Sequence, residues 1–224
     1  MTPRPDRRWP FTFVEDLDAP TLAPADRHHL ERVLRLRPGD RLTVGDGAGR
    51  FRPAIFGEPL AVAGDVLVAP VPAPPITVAF ALTKAGKPEL VVQKLAEIGA
   101  DRLLPFVASR SVVRWEPEKA IRQVERWRAI AREAAAQAHR PHLPEVAAIG
   151  SFEAAAGLPG AVLAHPDGTP LEPGDTTILI GPEGGWTPEE EAAVVRWRVL
   201  GPHILRAETA ALVAAALAVA AHRR

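Results

Sequence analysis

The sequence predicts an α/β protein of two domains, in which a small β-barrel precedes a larger domain built on a parallel sheet. Before residue 70 the apolar runs are short and separated by glycine-containing turns, as in a small all-β unit. After residue 76 strand-like and helix-like segments alternate, which favours a parallel sheet covered by helices on both faces. The stiff proline-rich segment Pro70–Pro75 lies between the two patterns. We therefore expect domains at residues 1–72 and 73–224.

The first domain begins with a helix over Ala25–Leu34, because Leu30, Val33 and Leu34 fall on one helical stripe. The Pro-Gly-Asp turn that ends at Asp40 terminates it. Two hairpins follow, and the glycines between their strands permit tight turns. Their predicted strands are Arg41–Val44, Phe51–Phe56, Ala61–Val62 and Val66–Val68.

The second domain contains four apolar segments of strand length, each followed by a segment with helical periodicity or a glycine-rich loop. The predicted strands are Ile76–Leu82, Arg102–Val107, Ala161–Ala164 and Thr177–Ile180. The predicted helices are Lys87–Gly99, Glu116–Ala138, Pro188–Trp197 and Ala207–Ala221.

Composition excludes several classes of protein. Of 224 residues 47% are hydrophobic and 24% are charged, which is ordinary for a globular chain. Cysteine is absent, so disulfides, thiolate metal sites and thiol nucleophiles are excluded, and we expect no metal site. The longest apolar run, 210–221, is too short to span a bilayer, and the N-terminus lacks a signal-peptide pattern. We expect a cytoplasmic protein with no membrane partner.

Net charge is zero, with 27 basic and 27 acidic residues, but the charge is unevenly distributed. The segment Arg102–Arg140 holds nine basic and four acidic residues, so it could bind a polyanion. An ordinary solvated helix face is an equally good interpretation. Trp115 and Trp127 within it could stack on bases, although core packing is the better interpretation.

A glycine-rich loop, Gly181-Pro-Glu-Gly-Gly185, joins a predicted strand to a predicted helix, which is where open parallel sheets bind ligands. Its spacing fits neither a phosphate-binding P-loop nor a dinucleotide fingerprint. The alternative is a tight strand-to-helix turn in which Glu183 assists helix capping.

Two further segments are candidates. Leu200–Ala210 places Arg206, Glu208 and Thr209 at the start of an apolar helix, where Glu208 or Thr209 could instead be a cap. His165 follows a predicted strand, and a turn residue is the simpler interpretation of it.

In combination these segments resemble the RsmE family of N3-uridine methyltransferases of the small-subunit ribosomal RNA, within the SPOUT superfamily. The resemblance rests on the 181–185 loop and on Leu200-Gly-x-x-Ile-Leu-Arg-Ala-Glu-Thr-Ala210, in that order. Matching segments precede them: His28–Asp40, Lys84, Gln93–Gly99, Pro105, Arg110–Val112, Glu133–Arg140 and Pro144. One departure is His203, where the family commonly has arginine.

The resemblance implies a PUA-like β-barrel at residues 1–72 that binds RNA and a trefoil-knotted methyltransferase domain at residues 73–224. It also implies S-adenosylmethionine as the cofactor, bent among three loops. The residues then expected to bind it are Ala164, His165, Pro166, Ile180, Gly181, Pro182, Glu183, Gly184, Gly185, Leu200, Gly201, Ile204, Leu205, Arg206, Ala207 and Thr209.

Transfer of a methyl group to N3 of uridine requires removal of the imide proton. Arg140 or Arg206 could favour the anionic base, and Glu133 or Glu208 could accept the proton. The expected phosphate contacts are Arg27, Arg32, Arg35, Arg110, Arg114, Arg122, Arg126 and Arg140. The expected partners are 16S rRNA in the small ribosomal subunit and a second copy of the chain as a homodimer. Two alternatives stay open: a non-catalytic RNA-binding or ribosome-assembly factor, and a SPOUT methyltransferase that acts on tRNA.

Overall fold

The computed structural model describes residues 3–83 and 87–223, which form two compact units. The first unit contains Met1–Val71 and Ala135–Leu143, and the second contains Pro72–Ala134 and Pro144–Arg224. Lys84, which contributes to the family resemblance, lies outside the described residues. The assignment of residues 1–72 and 73–224 to separate RNA-binding and methyltransferase roles stays a prediction.

The first unit is a five-stranded sheet with one short helix. Its elements are β1 (Phe11–Phe13), α1 (Pro24–His28), β2 (Arg41–Gly45), β3 (Arg50–Ile55), β4 (Ala61–Val62) and β5 (Leu67–Val68). The strand order is β1-β2-β3-β4, and β5 pairs with β3. β1 runs parallel to β2, whereas the other pairs are antiparallel. The first predicted hairpin, β2 with β3, is confirmed, but the second is wrong, because β4 and β5 each pair with β3 and not with each other.

The predicted helix over Ala25–Leu34 is only partly right. α1 changes after His28 into a π-helical turn, His29–Val33, in which the amide of Leu34 donates to the carbonyl of His29. A π turn has more residues than an α turn, so it rotates the later residues away from the predicted stripe. Leu30 is buried, whereas Val33 and Leu34 are exposed.

The second unit alternates strands and helices, as predicted. Its elements are β6 (Thr77–Ala81), α2 (Lys87–Ile98), β7 (Arg102–Val107), α3 (Pro117–Gln137), β8 (Glu145–Val146), β9 (Gly150–Ser151), α4 (Phe152–Ala156), β10 (Ala161–Thr169), β11 (Thr177–Ile180), α5 (Pro188–Ala193), β12 (Trp197–Arg198) and α6 (Ala207–His222). All pairs of the seven-stranded sheet are parallel, in the order β12-β10-β11-β6-β7-β8, with β9 also on β7.

Both faces of this sheet are covered, which confirms the α/β prediction. Along β6, Val78 and Phe80 enter one core cluster and Ala79 and Ala81 enter another. The first cluster includes residues of α2, α3 and α6, and the second includes Phe152 of α4. Because side chains alternate along a strand, two clusters on one strand lie on opposite faces. The trefoil knot implied by the family resemblance stays a prediction.

The predicted helix Pro188–Trp197 is wrong in its second half. α5 ends at Ala193, because Val194 adopts an extended conformation (φ −128°, ψ 99°) and is buried. Trp197 and Arg198 instead form β12, the edge strand that pairs with β10. Pairing with the sheet here overrides the local helical pattern, which contains no information about the partner strand.

The arginine-rich helix α3 has its aromatic residue in the core. Trp127 is fully buried, and the ring of the half-buried Trp115 lies 5.7 Å from it, centroid to centroid. Core packing, the favoured interpretation of these tryptophans, is confirmed. Within residues 3–83 and 87–223, no helix is long and apolar enough to cross a membrane.

Candidate functional site

A cavity of about 730 Å³ lies within the second unit, at the carboxyl ends of β11 and β12 and beside β10. Open parallel sheets bind ligands at this edge, and cavities of 300–1,000 Å³ are typical of small-molecule sites. All three predicted segments border it. Of the residues expected to bind a cofactor, every one except Gly184 and Thr209 is on its wall.

The first wall segment is a bulge in β10. Ala164 and Thr169 both pair with Arg198 of β12, so residues 165–168 bow out of the sheet between these two pairings. Gly168 is required there, since a Cβ on it would lie 2.5 Å from the main-chain nitrogen of Arg198. The predicted strand Ala161–Ala164 is therefore continued to Thr169, and His165 and Pro166 project from it as wall residues.

A buried ion-pair network holds this bulge against β12. Nε of Arg198 lies 2.6 Å from Asp175, and another nitrogen of the same guanidinium lies 2.9 Å from Glu172. The guanidinium also donates to the hydroxyl of Thr169. The hydrogen bond and charge of Asp175 raise the pKa of Arg198 above its usual range. Breaking such a pair from one side leaves a buried charge, which is strongly destabilising.

The second wall segment, 180–186, is folded around Trp186. The indole nitrogen donates a 3.0 Å hydrogen bond to the carbonyl of Ala164, which connects this segment to the bulge. The ring stacks on Phe106, with an interplanar angle of 3°. Gly181 leaves space for the indole, because a Cβ there would lie 2.9 Å from Cε2 of Trp186.

Arg110 supports the same segment from the loop after β7. Its Nη1 donates to the carbonyls of Gly184 (3.1 Å) and Trp186 (2.7 Å). Gly185 has φ +71°, a conformation that favours glycine. Arg110 was expected to contact RNA, and the structure places it on the cavity wall.

α5 is capped by Thr187 and not by Glu183, so the capping interpretation of Glu183 is wrong. The side chains of Thr187 and Glu190 form a capping box, in which each accepts a hydrogen bond from the backbone of the other. The other carboxylate oxygen of the buried Glu190 accepts from the amide of Ser109 at 2.8 Å. Hydrogen bonds from its own amide and from Thr187 lower the pKa of Glu189.

The third wall segment contributes Val199–Ala207 and leads into α6. Arg206 is the N-cap of α6 and makes no side-chain cap bond, so the capping interpretation of Glu208 and Thr209 is wrong. Ile204 is 87% exposed although it borders the cavity, which leaves an apolar side chain at the cavity mouth.

The residues expected to act in catalysis are dispersed. Arg206 borders the cavity, and Glu208 follows the wall residue Ala207 on the first turn of α6. Glu133 is exposed on α3, and Arg140 belongs to the first unit. Neither of these two borders the cavity.

The residues expected to contact RNA lie in both units. Arg122 and Arg126 are exposed on α3 and form long ion pairs, 3.7 Å to Glu118 and 3.9 Å to Glu89. Arg114, in the loop before α3, is exposed. In the first unit Arg32 and Arg35 are exposed, whereas Arg27 is paired with Glu31 at 3.4 Å.

The wall also contains seven residues that were not expected to bind the cofactor: Arg110, Trp186, Glu191, Val199, Pro202, His203 and Ala210. Ala210 is one helical turn after Arg206, and this spacing could have indicated it. Glu191 and Val199 could not be found in this way, because their positions depend on the end of α5 and on β12. No group of His, Cys, Asp or Glu side chains that could hold a metal occurs in the part of the chain that the structure describes.

Comparison with known proteins connects this site to a family. An RNA methyltransferase domain model matches residues 70–219, and an RNA methyltransferase PUA domain model matches residues 22–58. The ribosomal RNA small subunit methyltransferase E of Mycobacterium bovis is 35% identical over 212 residues, which is 83% of this chain and 80% of the relative. The chain belongs to the ribosomal RNA small subunit methyltransferase E family, RsmE.

Another RsmE relative and two solved methyltransferase structures extend the comparison. The Synechocystis protein is 34% identical over 88% of this chain and 71% of its own length. The crystal structure of the Neisseria gonorrhoeae RsmE bound to S-adenosylmethionine superposes with a TM-score of 0.76 at 25% identity, covering 95% of this chain and 98% of that one. A Legionella pneumophila structure with bound S-adenosylmethionine gives a TM-score of 0.82 at 27% identity, over 96% and 98%. The predicted RsmE membership and SPOUT-type α/β fold are confirmed.

Proposed function

We propose that this RsmE protein transfers a methyl group from S-adenosylmethionine to N3 of a uridine in 16S rRNA of the small ribosomal subunit. The observation that supports this most directly is the cavity itself, since three segments distant in sequence meet around it. Family membership over most of the chain supports the rRNA methyltransferase activity. The Neisseria gonorrhoeae relative has been crystallised with S-adenosylmethionine.

The wall residues fit this cofactor. Residues 181–185 and Gly201 present main chain with little side-chain cover, which allows the edges of adenine and ribose to approach peptide groups. A Cβ on Gly185 would meet nothing closer than 3.9 Å, and one on Gly201 would meet nothing within 4 Å. Apolar contacts are available from Ile180, Leu200 and Leu205. When bound, the cofactor supplies an electrophilic methyl group on a cationic sulfur.

In the proposed reaction, side chains of this protein position the acceptor uracil and accept the proton from its N3. Orientation of two reactants within such a site contributes about 7–11 kcal/mol to the lowering of the barrier. Arg206 on the cavity wall is the cation suited to favour the anionic uracil, and Arg140 is the alternative. Glu208, beside the wall on α6, is the candidate to accept the N3 proton, and Glu133 is the alternative.

RNA recognition is proposed to involve both units. We assign RNA binding to residues 1–72 and methyl transfer to residues 73–224, as the two matching domain models support. Phosphate contacts are proposed for arginines of α3, of the preceding loop and of the first unit, since a guanidinium can donate two parallel hydrogen bonds to a phosphate. These residues are Arg27, Arg32, Arg35, Arg110, Arg114, Arg122, Arg126 and Arg140.

We also propose that the protein is a homodimer and acts in the cytoplasm, where ribosomal subunits are found. α6 is an alanine-rich helix with exposed Leu217, a surface that a second copy could cover. Light scattering at micromolar concentration should give twice the mass of 24.0 kDa, and a monomeric mass would contradict the proposal.

The activity is tested with S-adenosylmethionine labelled in its methyl group and small ribosomal subunits from a strain that lacks this gene. We expect label in N3-methyluridine at one position of the 16S rRNA. In a parallel reaction with tRNA from the same strain, label on tRNA alone would favour a tRNA methyltransferase. Cofactor binding without label on either RNA, or no binding at all, would favour a non-catalytic RNA-binding or assembly factor.

A further inference from the structure

Two ionisable side chains on the cavity wall face each other and have no place in the reaction described above. Nε2 of His165, on the β10 bulge, lies 3.4 Å from Oε1 of Glu191, on α5. Both residues border the cavity. The His165 side chain is 15% exposed and that of Glu191 is 30% exposed, so the pair is partly withdrawn from water.

Besides its contact with Glu191, His165 is held by a backbone hydrogen bond and an aromatic contact. Its Nδ1 accepts a 3.1 Å hydrogen bond from the amide of Asp167, two residues further along the bulge. Its ring lies against Trp197, with centroids 4.5 Å apart, and the indole nitrogen of Trp197 donates to the carbonyl of Val194. The histidine therefore cannot turn without breaking a backbone hydrogen bond and an aromatic contact.

The backbone hydrogen bond also determines which ring nitrogen of His165 presents its N–H to Glu191. Since Nδ1 accepts a hydrogen from Asp167, it has no proton of its own, and the ring's one hydrogen is on Nε2, toward Glu191. This N–H therefore orients the Glu191 carboxylate on the cavity wall. Among the described residues, His165 is the cation-capable group within 4.0 Å of the Glu191 carboxylate.

Within the described part of the chain, the two arginines on the cavity wall, Arg110 and Arg206, are not paired with Glu191. The Arg110 guanidinium is directed to the carbonyls of Gly184 and Trp186. Arg206 lies at the start of α6, in the third wall segment, whereas Glu191 belongs to the short helix after the second. A carboxylate that is held in place on the wall is suited to bind a cation that enters the cavity.

We propose that Glu191 binds a cationic group of S-adenosylmethionine, either its ammonium or its sulfonium, and that His165 is the residue that positions Glu191. This rests on the proposed function. The donor carries both cationic groups, whereas its demethylated product, S-adenosylhomocysteine, has lost the sulfonium charge. A carboxylate near the sulfonium would therefore hold the donor more tightly than the product, and one near the ammonium would hold the two equally.

Binding affinities measured by calorimetry test this without turnover. Glu191→Gln keeps the shape of the side chain and removes its charge, and we expect it to weaken S-adenosylmethionine binding by about five- to tenfold. Glu189→Gln is the matched control, because it makes the same change two residues earlier on α5 at an exposed position outside the cavity wall. It should leave the affinity within twofold of wild type.

Three further ligands identify the group that is bound. Sinefungin has an amine in place of the sulfonium. If Glu191→Gln lowers the affinity for S-adenosylmethionine and sinefungin but not for S-adenosylhomocysteine, the carboxylate binds the sulfonium. Equal weakening of all three assigns it to the ammonium. Adenosine has neither group, so its affinity should not change. An unchanged affinity for S-adenosylmethionine, or an equal loss for adenosine, would overturn the proposal.

The role of His165 is tested with two variants, one that keeps a side-chain N–H and one that removes it. His165→Gln keeps a donor near the position of Nε2 and should retain most of the affinity, whereas His165→Leu should weaken binding as much as Glu191→Gln does. Equal loss in both His165 variants would contradict positioning through this N–H. If the wild-type protein bound no S-adenosylmethionine, the proposed function would fail, which is a separate result from wild-type binding that the variants leave unchanged.

Discussion

Nη1 of Arg110 donates a hydrogen bond of 2.7 Å to the main-chain carbonyl of Trp186 and thereby joins the loop after β7 to the loop after β11. Because a guanidinium holds two carbonyls of the second wall segment, removing it should loosen that wall. We expect Arg110→Ala to weaken S-adenosylmethionine binding by about tenfold, since two main-chain carbonyls, that of Trp186 partly buried, lose their charged donor. Calorimetry measures this.

Arg114→Ala is the control for that experiment, because Arg114 is an exposed arginine four residues along the same loop and is not on the wall. An Arg110→Ala variant that lost RNA affinity while keeping full cofactor affinity would show that Arg110 acts on RNA and not on the loop.

Gly168→Ala should destabilise the second unit. A Cβ at this position would lie 2.5 Å from a main-chain nitrogen and 2.6 Å from a main-chain carbon of β12, and neither can move without breaking the edge pairing. Overpacking of this kind costs about 1–3 kcal/mol or more. Urea unfolding would measure it. Gly150→Ala is the comparison, since its Cβ would meet nothing within 4 Å, and a larger loss there would contradict the clash argument.

Replacing Arg122 or Arg126 should weaken RNA binding and reduce its dependence on salt. Each phosphate contact that is lost lowers the slope of log K against log salt concentration by roughly 0.7–0.9. Binding titrations of rRNA fragments at several salt concentrations give the slope. Arg102→Ala is a suitable control, because Glu145 lies 2.8 Å from that guanidinium and offsets its charge. Slopes unchanged by the α3 substitutions would show that this face does not contact phosphate.

Glu208→Gln should lower kcat by about 10²-fold or more if Glu208 accepts the N3 proton, which is the usual contribution of a general base. Glu133→Gln should change kcat by less than tenfold, since Glu133 is exposed and away from the cavity wall. Single-turnover methylation at saturating cofactor measures both. The reverse ranking would assign the proton to Glu133.

Local sequence patterns predicted most of the second unit because the strands and helices there have strong periodicity. Continuous apolar runs such as the one that forms β6 are typical of strands buried on both faces. The three wall segments were also predictable, since glycines beside a strand end and the family motif indicated the same positions. The arginine spacing of α3 predicted a helix, and its buried Trp127 follows from the same pattern.

What the sequence could not predict depends on contacts between distant residues. β12 is two residues long. It forms because Arg198 pairs with Ala164 and Thr169 of β10 and its side chain forms an ion pair with Asp175. Without knowledge of that pairing, the helical pattern over 188–197 is the better local interpretation. For the same reason the sequence did not predict Glu191 on the wall, since its position depends on where α5 ends. Nor did it predict the contact of Arg110 with the second wall segment.

Arg198 pairs with both Ala164 and Thr169, so the register of β10 against β12 does not depend on the length of the loop between those two residues. Residues inserted or exchanged at 165–167, with Gly168 kept, would alter the ligand-facing surface while β10, β11 and β12 kept their partners. Such a loop can vary in evolution with little effect on folding. Relatives that share this sheet can therefore differ in the size and polarity of the cavity at residues 165–167, and a designer could graft a longer loop there without rebuilding the scaffold.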